Sequence, residues 1–73
     1  MTMIEKLENL GWFSRPEELT EALEDEGLEV LEVSSEHVTV GYEDDSEDVQ
    51  LRLNLGGTAR TIVIASIEEV YRG

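Results

Sequence analysis

The chain has no cysteine, one histidine and one lysine among its 73 residues. Without cysteine there is no disulfide framework, no thiolate chemistry and no cysteine-ligated zinc. A single histidine, His37, cannot assemble a multi-histidine metal site. Only five bases are present, Lys6, Arg15, Arg52, Arg60 and Arg72, so the chain lacks the basic surface needed for direct contact with nucleic-acid phosphates. No apolar run approaches the ~20 residues of a membrane span. The opening MTMIEKLENL has acids where a secretory signal would carry a basic region and a long apolar stretch. These absences predict one domain over residues 1–73, in the cytoplasm, with no cofactor and no membrane partner.

What the chain has in abundance is acid: 18 Asp and Glu, for a net charge of −13. Acidic, aromatic-poor chains often fail to fold, but 40% of these residues are hydrophobic and they recur periodically, which argues for a folded domain. The charge is segregated. No lysine or arginine lies between Arg15 and Arg52, and residues 16–51 hold 14 of the 18 acids. From Arg52 to Ile67 there is no acid at all. A fold built from this chain must have one strongly negative region and one that is nearly neutral.

The apolar spacing predicts two helices and then strands. Thr2 caps a helix to about Leu10, with Ile4, Leu7 and Leu10 on one face and Gly11 ending it. Trp12 and Phe13 are expected to plug the junction. Ser14-Arg15-Pro16-Glu17 has the form of a capping box, opening a second helix to about Glu26 that Gly27 stops. Leu19, Ala22 and Leu23 form its apolar stripe, and Glu17, Glu18, Glu21, Glu24 and Asp25 its outer face. From Leu28 the period becomes two. Turns at Ser35-Glu36, Asp44 to Glu47 and Gly56-Gly57 would pair Val33 with Val38, Tyr42 with Val49, Val38 with Leu53 and Leu51 with Ile62. Ser66-Ile67-Glu68-Glu69 reads as another capping box starting a terminal helix through Tyr71. The expected fold is α+β: two N-terminal helices on one face of a four-stranded antiparallel meander, with a short C-terminal helix.

No catalytic set is legible. His37 falls on the outward face of a strand beside a turn, with no orienting third group evident. The acids stand at solvent-facing positions, whereas carboxylate catalysis needs burial or a close neighbour in a cleft. Glu43-Asp44-Asp45-Ser46-Glu47-Asp48 clusters oxygens but lacks the glycine and twelfth-position glutamate of a calcium loop. Gly56-Gly57 has no following lysine and reads as a turn, not a phosphate cradle. The sequence therefore predicts a binding protein, not an enzyme.

The acids define the expected surface. Glu17, Glu21 and Glu24 or Asp25 recur on one helical face every ~5 to 6 Å at a rise of about 1.5 Å per residue. That approaches the ~7 Å estimated between phosphates along a nucleic-acid strand. Together with Glu18 and the turn acids Glu43, Asp44, Asp45, Glu47 and Asp48, they form a partner-binding surface. In its size, its acidity, its acidic helix Glu17 to Glu26 and its acidic turn Glu43 to Asp48, the chain resembles the small phage-encoded inhibitors of host defence. Among these are anti-CRISPR proteins that act as DNA mimics. The resemblance implies a non-enzymatic inhibitor occupying the basic nucleic-acid-binding site of its target, such as a CRISPR effector, in the host-cell cytoplasm. The contrasting expectation is a small adaptor or complex subunit whose acidity serves solubility or growth at high salt. For that reading Val30, Thr39, Thr61 and Val63 would share the sheet's outer face and offer a second interface, in a monomer or a homodimer.

Overall fold

The computed structural model describes residues 2–73 and corrects the predicted architecture. Strands dominate. They are β1 (Trp12–Phe13), β2 (Glu29–Val33), β3 (His37–Asp44), β4 (Glu47–Gly56) and β5 (Ile62–Arg72). The helices are short, α1 (Met3–Glu8) and α2 (Pro16–Asp25). All five strands are antiparallel in one sheet of order β1-β5-β4-β3-β2, curled into a half-barrel. The fold is therefore mostly β, and not two packed N-terminal helices on a four-stranded meander.

Three local differences account for the correction. Trp12 and Phe13 do not merely plug a junction: they pair with Val63 and Ile62 and add a fifth strand beyond β5. Ser66 to Tyr71 is strand, not helix. So short a terminal helix would have to repay its nucleation in barely more than one turn. The strand instead pairs along all of β4 and turns Ile67 onto the core. Its β-branched Ile67 and Val70 and aromatic Tyr71 suit a pleated surface. Finally, Gly56 belongs to β4, and residues 57–61 form the loop, closed by bonds between Thr58 and Thr61. Leu51 consequently faces Glu69, not Ile62.

The β3–β4 hairpin follows the expected register, with Val38 opposite Leu53 and Tyr42 opposite Val49, and β2–β3 does so beside its turn, with Val33 opposite Val38; further on, Val30 and not the expected Leu31 faces Val40. The β3–β4 turn is tighter than expected. Asp44 pairs with Glu47, leaving only Asp45 and Ser46, both at positive φ (50° and 69°). Two such residues give the mirror-image turn whose twist matches antiparallel strands. One face of the sheet carries Val38, Val40, Val49, Leu51 and Leu53 into a core with Leu7, Leu19, Leu23 and Leu28. Register shifts place an extra residue on β2 at Leu31 and on β5 at Ala65 and Val70. Such bulges bend and twist a strand, consistent with the curl.

Helix ends follow ordinary capping chemistry with one departure. The Thr2 hydroxyl accepts a bond from the Glu5 N–H at 3.2 Å. Ser14 does not cap α2: the N-cap is Arg15, which offers no side-chain bond, and Pro16 occupies the first turn, where its missing N–H is harmless. Gly27 (φ +85°) ends α2, a conformation that favours glycine. Among the described residues, no helix is long and apolar enough to cross a membrane.

Candidate functional site

Helix α2 buries Leu19 and Leu23 and turns Glu17, Glu18, Glu21, Glu24 and Asp25 to solvent. Among the described residues, none of these five acids forms an ion pair. Their positions differ in consequence. Glu17 and Glu18 sit in the first turn, where the exposed N–H groups favour negative charge. Glu24 and Asp25, followed by Glu26 at the C-cap, stand at the end whose free carbonyls disfavour it, and no base lies in that turn.

The β3–β4 hairpin brings two further pairs of acids face to face. Asp44 is directly opposite Glu47, and Glu43 is directly opposite Asp48. Like charges in that relation destabilise a sheet. The first pair is bridged by Arg72, which reaches Asp44 Oδ2 at 3.5 Å, Glu47 Oε2 at 3.2 Å and Glu69 Oε1 at 2.8 Å and offsets part of their charge. Hydrogen bonds to Glu69 and then Glu47 raise the guanidinium's proton affinity further, so Arg72 stays charged. The second pair, Glu43 and Asp48, has no cation among the described residues.

The topology brings the last turn of α2, but not its first, towards the end of the sheet that carries the acidic hairpin turn. After α2 and Gly27, the chain enters β2 with Glu29 opposite Gly41. From Gly41 the acidic turn is four residues along β3, or about 13 Å at a strand's rise. On the outer sheet face, Glu29, Gly41, Gln50 and Tyr71 form one row across four strands. A groove of about 500 Å³ lies over this row, bordered by Leu31, Glu43 and Asp48. Gly41 contributes no side chain to its floor, and the Leu31 side chain lies over that glycine. A second cleft, of about 310 Å³, lies near the start of α2 between the β2–β3 turn and the β4–β5 loop, and is lined by Ser34, Ser35, Thr58 and Thr61 with apolar neighbours.

The four residues expected to share an outer interface do not. Val30 faces inward and packs on the core, because Leu31 takes the bulge position and shifts the alternation. Thr61 lies in the β4–β5 loop, where its hydroxyl accepts from the Thr58 N–H. Thr39 and Val63 are on the outer face, each half-buried. The exposed apolar side chains are instead Trp12 (63% exposed), Leu31 (44%), Val33 (52%), Val70 and Tyr71. The bulge on β2 hid Leu31, since strict alternation assigns wrong faces beyond an extra residue, and the expected terminal helix hid Val70 and Tyr71.

His37 lies between Ser34 and Glu32, with Nδ1 3.2 Å from Ser34 Oγ and Nε2 2.8 Å from Glu32 Oε1. The residue types are those of a hydrolytic triad, but the serine is committed to the turn. Its Oγ accepts from the N–H groups of Glu36 and His37 and donates to the His37 carbonyl. The cluster locks the β2–β3 hairpin. Among the described residues, no group of three or more His, Asp or Glu side chains is placed to hold a metal ion, the turn Glu43 to Asp48 included. No protein-family model matches the chain, and no significant match is found among curated proteins or solved structures.

Proposed function

We propose that the chain is a non-enzymatic binding protein whose acidic surface docks on the basic nucleic-acid-binding site of another protein and blocks it. The observation that carries this reading is the unneutralised acid in the last turn of α2 and at the Glu43–Asp48 pair, placed where it weakens the fold. Solubility alone needs no acid against a helix C-terminus or directly across a strand from another acid. A partner's cations would remove both penalties on binding and would be steered to the site by long-range attraction. The resemblance to phage inhibitors makes a CRISPR effector one candidate target.

The test is capture from a cell lysate on the immobilised chain, followed by elution with duplex DNA or with polyglutamate of equal charge. The reading expects nucleic-acid-binding proteins that DNA releases far better than polyglutamate does. It expects the triple variant Glu17→Lys, Glu21→Lys, Asp25→Lys to lose them while its circular dichroism stays native. Equal capture by a folded triple variant, or partners indifferent to DNA, would sink it.

A further inference from the structure

Among the described residues, the outer edge of β2 is unpaired: β2 is the last strand of the sheet and bonds to β3 alone. Edge strands turn alternate N–H and C=O groups outward and are templates for another strand. Here the edge carries two exposed apolar side chains, Leu31 and Val33, on either side of Glu32. The groove over Gly41 begins at Glu29 and Leu31 and reaches the Glu43–Asp48 pair, with Tyr71 at its far wall.

We infer that β2 accepts an extended, basic segment of the partner as a sixth strand, with a lysine or arginine side chain lying in the groove. This rests on the proposed docking to a basic surface and names the element recognised. Charge selects the occupant. No lysine or arginine occurs from Pro16 to Leu51, so α2, β2 and β3 offer an added strand only acids. A second copy of this chain is disfavoured, because antiparallel pairing of β2 with itself sets Glu29 and Glu32 close to their equivalents in a chain that is itself at −13. The groove suits a long aliphatic stem with a cationic head. Leu31, packed over the buried Gly41, offers an apolar wall, and among the described residues the Glu43 and Asp48 carboxylates lack a cation. Tyr71 adds an aromatic ring beside it.

The probe is a short acetylated and amidated peptide alternating lysine and valine, compared with the same peptide methylated at every backbone nitrogen. Both carry equal charge, but only the first can add to a sheet. Amide shifts and peptide-to-protein NOEs are followed on ¹⁵N-labelled chain. The unmethylated peptide should contact residues 29–33 and bind about tenfold or more tightly than the methylated one, since only it forms the edge hydrogen bonds. Glu29→Lys with Glu32→Lys should weaken it more than the charge-matched pair Glu17→Lys with Glu21→Lys. Equal affinity of the two peptides, equal effects of the two charge-matched pairs, or shifts confined to α2 or the hairpin turn would overturn edge docking while leaving the basic-surface reading standing. Absence of any binding would overturn edge docking as well.

Discussion

Reversing one acid at each end of α2 should move stability in opposite directions. Glu17 and Asp25 are both exposed, neither side chain makes a hydrogen bond or ion pair among the described residues, and each reversal to lysine takes the net charge from −13 to −11. Relief of general repulsion is therefore the same in both variants, and their difference isolates the helix end. A charge at a helix terminus is worth about 0.3–1 kcal/mol, so exchanging an acid for a base shifts each variant by roughly twice that. Glu17→Lys loses a favourable acid and gains an unfavourable base, and Asp25→Lys does the reverse. The gap between them should be about 1–4 kcal/mol, which in a domain of this size is roughly 5–30 °C in Tm. Thermal unfolding followed by circular dichroism at low salt measures it directly. In about 1 M salt the screening length falls to ~3 Å and the gap should shrink to a fraction. If Asp25→Lys proved the less stable variant, or the gap survived high salt unchanged, the claim that the last-turn acids oppose the fold would be wrong.

Other expectations follow from individual contacts. Leu51 is fully buried in the central strand, so Leu51→Ala should lose about 2–5 kcal/mol in denaturant unfolding, whereas Leu31→Ala, nearly half exposed, should lose well under half of that. A methyl group at Gly57 would collide with the Thr61 carbonyl, and the backbone there has φ +112°, so Gly57→Ala should destabilise by more than about 1 kcal/mol. Trp12, the single tryptophan, is 63% exposed, and its native-state fluorescence should be readily quenched by acrylamide. Replacing Arg72 with glutamine frees three carboxylates, and the resulting loss of Tm should be larger at low salt than at high salt.

The sequence revealed local pairing far better than closure of the sheet. The β3–β4 register, and that of β2–β3 next to its turn, could be read because short turns fix them and because alternation through Val38, Val40 and Val49, Leu51 runs unbroken; the bulge at Leu31 then put Val30, not Leu31, opposite Val40. The β4–β5 register could not, because two glycines imitate a two-residue turn and two bulges on β5 break the count. The Ser66–Glu69 capping pattern misled for a similar reason: a local helix signal lost to the longer ladder that β4 offered. For the candidate site, the exposed acids of α2 were legible from helical spacing alone. The unneutralised Glu43–Asp48 pair, the groove over Gly41 and the open edge of β2 depend on which strands neighbour each other, which no local pattern carries.

The pairing of β1 with β5 also has a bearing on the order of assembly. The three hairpins join neighbouring segments across short loops, while Phe13 must find Ile62 across about 50 residues of chain. Contacts that close long loops tend to form late. The amino-terminal segment, with α1 and β1, is thus expected to latch onto a meander that has already formed. Trp12→Ala should accordingly speed unfolding and leave the refolding rate nearly unchanged, as stopped-flow circular dichroism would measure; an equal slowing of refolding would place the latch in the folding nucleus instead.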